Sequence, residues 1–144
     1  MKNEFNFLHT LRVRYAEIDG QGIVFNANYL IYISVAIMEY FRNLGFDYKE
    51  FAKNQEFDLA LVKITLEYIS PAFFDDIIEV GVKVVGFGNK SFNIHYEMFR
   101  NHQDDPIFKA DAIYVNFNTK LKKAQPVPDE IKEKVNKFEN KLSY

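Results

Sequence analysis

Residues 27–45 read ANYLIYISVAIMEYFRNLG, and the fold follows from how this stretch must be housed. Leu30, Ile33, Ile37, Tyr40 or Phe41, and Leu44 recur at helical spacing. Asn26 or Asn28 is placed to cap the start of the helix, and Gly45 to end it. Ile31, Tyr32, Val35 and Met38 fall on the remaining faces, so the helix is apolar nearly all round. Such a helix has to be wrapped on most of its sides.

The wrapping material lies downstream. Four strand-like runs occupy residues 59–69, 77–87, 91–100 and 107–118. In the first, Ala60, Val62, Ile64, Leu66 and Tyr68 alternate with Lys63, Thr65 and Glu67; Ile78, Val80, Val82 and Val84 repeat the pattern in the second, and Phe92, Ile94, Tyr96 and Met98 in the third. Turn chemistry separates them: Pro71 with Asp75 and Asp76, residues 86–90, and residues 101–106. Upstream, residues 7–16 alternate as a first strand with one wetter face, carrying Thr10, Arg12 and Arg14. Residues 46–57 read as a short helical turn and loop, and Pro126 and Pro128 introduce a terminal helix at about 129–141. One helix cannot be shared among the crossovers of a parallel sheet. The order therefore predicts an α+β fold, an antiparallel sheet curled around one apolar helix, in a single domain over residues 1–144. Its edges and outer face still need cover, which a second copy of the chain supplies.

Composition narrows the function. The net charge of −2 offers no basic field for a nucleic-acid backbone. The absence of cysteine excludes disulfides, thiolate metal sites and a cysteine nucleophile. No apolar run is long enough to span a bilayer, and the start, MKNEFNFLHT, has no signal-peptide core, so the expected setting is cytoplasmic. With 15 phenylalanines and 9 tyrosines, the apolar rings exceed what one small core needs and point to subunit contacts.

Several motifs are missing: the GxSxG elbow, HExxH and the phosphate loop. Gly86-Phe-Gly-Asn-Lys-Ser91 approaches a dinucleotide fingerprint, but it lacks the third glycine and sits between two strands, where it reads as a hairpin. His9, His95 and His102 are scattered without ligand spacing, so no metal is expected, and no cofactor.

The chemistry concentrates in RYAEIDGQGIVFNANY, residues 14–29. Asp19 lies between a strand and the entrance of the apolar helix, and Gly22 lets the chain double back. That entrance carries unpaired backbone N–H groups and the positive end of the helix dipole, where negative charge on a carbonyl oxygen is stabilised. Thioester cleavage needs little more than one carboxylate and one or two such donors, because a thiolate with a conjugate-acid pKa of about 8.5 leaves readily. An aspartate in a glycine turn also serves as a plain turn former or cap.

This segment resembles the 4-hydroxybenzoyl-CoA thioesterase family of hot-dog proteins, including its bacterial acyl-CoA thioesterase branch. The residues that carry the likeness are Arg14-Tyr15, Asp19, Gly22, Ile23-Val24-Phe25 and Asn26-Ala-Asn28-Tyr29-Leu30. Tyr68 to Ala72 with Asp75 and Asp76, Lys90-Ser91-Phe92 and Pro126-Val-Pro128 follow as later landmarks. The resemblance implies a five-stranded antiparallel sheet around one long central helix. It also implies homodimers with a continuous sheet, often paired as tetramers, with active sites at the dimer interface. By position it makes Asp19 the catalytic carboxylate and puts at Asn26 the helix-start N–H that polarises the thioester carbonyl. Lys90 and Ser91 fall in the turn that helps hold the CoA phosphates, and Tyr29 lines the acyl pocket or packs in the core. Many bacterial members carry histidine at the Asn26 position, a change that a backbone N–H survives. Others carry arginines where this chain has Gly88 and Asn89, so the resemblance implies a phosphate grip that is either weaker here or supplied elsewhere, for instance by Lys120, Lys122 or Lys123.

The activity implied is hydrolysis of an acyl-CoA, or of an acyl group on acyl carrier protein, with Asp19 as base or nucleophile. The alternative on the same fold is a non-catalytic acyl-CoA binding module, which has no need of the Asp19–Gly22 turn. A hot-dog dehydratase pairs a histidine with a second acid–base group near the helix, and no histidine lies between His9 and His95 here.

Overall fold

The structure, a computed structural model, describes residues 1–140. After a 3-10 turn at Lys2–Glu4 come β1 (Leu8–Arg12), a second 3-10 turn (Tyr15–Glu17), α1 (Asn28–Asn43) and α2 (Tyr48–Lys53). The strands β2 (Leu59–Tyr68), β3 (Ile77–Phe87), β4 (Ser91–Arg100) and β5 (Pro106–Asn118) follow, then a two-residue β6 (Lys123–Ala124) and α3 (Asp129–Glu139). The last position of the terminal helix expected from sequence, 141, lies outside the described residues.

Neighbouring strands are antiparallel in the order β1-β3-β4-β5-β2, with β6 extending β5. The sheet half-wraps α1, as the hot-dog resemblance implies. Tyr32, Ile33, Ala36, Ile37, Tyr40 and Phe41 of the helix are buried against Val80, Val82, Ile94, Tyr96, Met98 and Phe108 of the sheet. At the helix end, Phe41 meets Phe57 edge-on at 5.4 Å, and Phe57 lies 5.8 Å from Phe92. These rings explain much of the phenylalanine content within one chain.

The wrapping is incomplete. Leu30, Ile31 and Val35 on the far side of α1 remain 38%, 51% and 44% exposed. At the β2 edge, Leu61 and Val62 are 46% and 57% exposed. Val62 was expected to face inward with Ala60 and Ile64. A bulge between Leu61 and Lys63 in the β2–β5 register breaks the alternation there and turns Val62 out.

Two local readings change. The first strand stops at Arg12 rather than running to residue 16. Val13 instead exchanges backbone hydrogen bonds with residues 75 and 76, and the Glu17 carboxylate draws the Arg14 N–H into a turn. Neither Asn26 nor Asn28 caps α1 with its side chain: the cap residue is Ala27, and the Asn28 amide donates backward to the Glu17 carbonyl at 2.9 Å. Gly45 does end the helix, at φ +86°.

The two ends of the fold are joined. The Asn6 amide, 132 and 133 positions away in sequence, donates to the carbonyls of Phe138 (3.0 Å) and Glu139 (3.2 Å) in the last turn of α3. The Glu139 carboxylate accepts from Tyr40 Oη (2.5 Å) and from the Val84 N–H (3.1 Å), two residues beyond the last β3 amide that β1 and the residue before it engage.

Candidate active site

Beyond Glu17 the chain forms a narrow reverse turn. Asp19 N donates to Ile23 O at 2.9 Å and Gly22 N to Asp19 O at 3.0 Å, with a bridge between Ile18 and Val24. Gly22 sits at φ +79°, a conformation that side chains disfavour, so the glycine is what permits the reversal. Asp19 Oδ1 accepts from the Gln21 N–H at 2.7 Å, which fixes the rotation of the carboxylate; Oδ2 has no donor among the described residues. On leaving the turn, Val24 N donates to Ala72 O at 2.9 Å, and Ala72 N donates to the buried Tyr29 hydroxyl at 3.3 Å. Turn, helix start and the segment after β2 thereby enclose a cleft of about 330 Å³ lined by Asp19, Ile23, Asn26, Tyr29, Tyr68 and Ser70, among others.

The helix entrance contributes oriented amides. The Phe25 carbonyl accepts from Asn28 N at 2.9 Å, and the Asn26 carbonyl accepts from Tyr68 Oη at 2.8 Å. A trans peptide is planar and its N–H points opposite its C=O. Fixing those two carbonyls therefore also fixes the N–H groups of Asn26 and Ala27, which have no protein acceptor among the described residues. The positive end of α1, equivalent to about half a unit charge, adds to their pull on a developing anion. Burial pushes the Tyr68 and Tyr29 hydroxyls above the usual phenol range, so both act as neutral groups at physiological pH.

Behind the cleft, Glu17 is 7% exposed. Burial acts to raise its carboxyl, but hydrogen bonds from the Arg14 side chain and backbone and from Tyr32 outweigh it and hold the group below the usual carboxylate range. No group of three or more His, Cys, Asp or Glu able to hold a metal ion occurs among the described residues.

Asp19, Asn26 and Tyr29 thus share one cleft, with Tyr29 both lining it and stacked on Phe108 at 4.9 Å in the core. Lys90 and Ser91 lie elsewhere in the chain. Their hairpin is closed by Gly88 N donating to Ser91 O (2.8 Å), and Lys90 O accepts from Asn116 N (2.9 Å), beside the Leu59 end of β2. The cleft is at the Tyr68 end, and ten strand residues separate the two by about 30 Å. The exposed turn carrying Lys120 and Lys122, with Lys123 at its β6 end, is on the Lys90 side. Tyr68 and Glu17 had no site role in the sequence reading. Tyr68 resembled one more inward strand position, and only its place as the last residue of β2 turns it toward the helix entrance.

Fold and cleft together define a hot-dog protein of the thioesterase class. The profile of the thioesterase-like superfamily matches residues 13–135, and the chain belongs to that superfamily. A protein of Aquifex aeolicus that bears an esterase name is 31% identical over 106 residues, 74% of this chain and 80% of the relative. The acyl-CoA thioesterase YbgC of Haemophilus influenzae is 27% identical over 70% of this chain and 73% of its own. Among solved structures, one from Aquifex aeolicus superposes with a TM-score of 0.81 at 29% identity, covering 90% of this chain and 98% of that one. The 1,4-dihydroxy-2-naphthoyl-CoA thioesterase of Synechocystis superposes with a TM-score of 0.83 at 19% identity, covering 96% and 98%.

Proposed function

We propose that the protein, read as one domain of 144 residues, is an acyl-CoA thioesterase that releases a free acid and CoA at the cleft between the 19–23 turn and the entrance of α1. The observation that carries this reading is the sharing of one cleft by Asp19 and Asn26, whose helix-start N–H has no protein acceptor among the described residues.

With Asp19 as base, it takes a proton from water as the water oxygen bonds to the thioester carbon. The carbonyl electron pair moves onto oxygen, facing the helix-start N–H groups. Collapse of that adduct breaks the C–S bond and expels the thiolate, which no general acid need protonate in the transition state. With Asp19 as nucleophile, its oxygen forms an acyl anhydride as the thiolate leaves, and water then hydrolyses the anhydride. A single turnover in isotopically labelled water separates the routes, since label enters the Asp19 carboxylate only by the second.

A separation of roughly the length of β2, about 30 Å, between cleft and Lys90 hairpin calls for a second copy. Two β2 edges paired antiparallel about a two-fold axis bring the Leu59 end of one strand beside the Tyr68 end of the other. Lys90 and Ser91 of the partner subunit then flank the cleft and serve the phosphates of CoA, or the phosphopantetheine of an acyl carrier protein. The exposed Leu30, Ile31 and Val35 stripe is free to join such dimers into a tetramer. The reading includes a cytoplasmic setting, which cell fractionation tests.

The test is thiol release from a panel of aliphatic and aromatic acyl-CoAs, run beside Asp19→Asn. Turnover by the natural chain and its loss in the variant support the reading. Equal rates remove Asp19 from the mechanism, and binding without release from any substrate makes the chain a binding module instead.

A further inference from the structure

We infer that Glu17 is a positioning residue that sets the distance between the Asp19 carboxylate and the amides at the entrance of α1. The inference rests on the proposed role of Asp19.

Glu17 lies two residues before Asp19, yet its hydrogen bonds reach both sides of the cleft. Through its side chain, Oε1 accepts from the Arg14 N–H (2.8 Å) and from the Tyr32 hydroxyl (2.9 Å), while Oε2 accepts from Arg14 Nη2 (2.8 Å) and Nε (3.2 Å). Tyr32 is buried on the second turn of α1, so this contact ties the Asp19 turn to the body of the helix. Through its main chain, the Glu17 carbonyl accepts from the Phe25 N–H and from the Asn28 amide, both at 2.9 Å. Phe25 and Asn28 bracket Asn26, which lines the cleft, and Ala27. One residue therefore holds the helix entrance by its backbone and the helix flank by its carboxylate, with Asp19 two residues further along the chain.

A carboxylate spent entirely on protein donors is unsuited to proton transfer, and Glu17 has no wall in the cleft. Its contribution is geometric. A shift on the order of 1 Å between reacting groups costs on the order of 100-fold in rate. Losing the Glu17 contacts should therefore act on turnover far more than on substrate affinity.

The test compares kcat and KM for Glu17→Ala, Glu17→Gln and Tyr32→Phe, at a temperature where circular dichroism finds each folded. Glu17→Ala should lower kcat by about 10- to 100-fold with KM within about twofold. Glu17→Gln keeps an acceptor for Arg14 N–H and Tyr32 and should recover most of that loss. Tyr32→Phe removes a single hydroxyl and should lower kcat by several-fold; combined with Glu17→Ala it should add nothing, because both break one contact. Val135→Ala, a cavity in α3 remote from the cleft, should lower the melting temperature and leave kcat unchanged. Should Glu17→Ala not fold, Tyr32→Phe carries the test. A natural kcat in the folded Glu17 and Tyr32 variants, or losses confined to KM, overturns the inference while Asp19→Asn remains inactive. An Asp19→Asn enzyme as active as the natural chain instead overturns the reading on which the inference rests.

Discussion

The hydroxyl of Tyr68, at the last position of an edge strand, donates a 2.8 Å hydrogen bond to the main-chain oxygen of Asn26 at the mouth of the central helix. That bond sets the plane of the Asn26–Ala27 peptide and so the aim of the Ala27 N–H. Tyr68→Phe should lower kcat by several-fold to about 10-fold, the value of one hydrogen bond of about 1 kcal/mol, with little change in KM. Steady-state kinetics on the best acyl-CoA of the panel check it. An unchanged kcat would detach this peptide from the chemistry.

The Glu17 carboxyl has a definite pH signature. Its pKa in the folded chain lies below the ordinary 4.5, because the hydrogen bonds from Arg14 and Tyr32 outweigh the effect of burial. A depressed carboxyl contributes stability that is present above the unfolded value and is lost as pH falls through the folded one. Urea titrations should therefore show a drop in stability below about pH 4.5 that is shallower in Glu17→Gln. Parallel acid limbs for the two proteins would contradict the assignment.

Glu139 runs the other way. Burial raises its carboxyl above 4.5 in spite of the hydrogen bonds from Tyr40 and Val84. A raised carboxyl favours the folded state when protonated, so its contribution is lost as pH climbs through the folded value. Glu139→Gln keeps an acceptor for Tyr40 and the Val84 N–H without the charge. It should match or exceed the natural chain in stability at pH 7, with the gap closing toward pH 4. Thermal melts at the two pH values decide it, and a variant weaker only at pH 7 would refute it.

A charge at the β2 edge should break the proposed pairing. Val62 is exposed at the bulge, and Val62→Asp leaves the core of one chain untouched while burying an unpaired carboxylate in a paired edge. Light scattering after size exclusion should show the variant shifted toward monomer, and its thioesterase rate should fall with the shift. A monomeric variant with full activity would mean that the cleft needs no partner.

Much of this molecule could be read from residue order. Periods of two placed Ile77–Phe87 and Ser91–Arg100 to the residue, because both lie between strong turn signals and each buries one face against the helix. Asp19 and Gly22 stood out because a sharp reversal beside a helix start needs a residue tolerant of positive φ. The β2 bulge was hidden, since Leu61-Val62-Lys63 looks the same with or without a slip in register. Glu17 was hidden as well: its contact with Tyr32 depends on how the turn after β1 packs against α1, which local spacing does not encode. That the Asp19 cleft and the Lys90 hairpin lie at opposite ends of β2 emerged only with strand direction, and it turned a list of landmarks into an argument for two subunits.

The side-chain clasp between Asn6 and the final turn of α3 bears on how the protein is born. Its halves are 132 and 133 residues apart, so the chain must emerge from the ribosome as far as Glu139 before the clasp can shut. β1 itself can pair with β3 much earlier, so it is the segment ahead of β1 that waits, which lengthens the interval in which a nascent chain is exposed. Synonymous changes that slow translation of the α3 codons should depress soluble yield more than equal changes in the β3 codons.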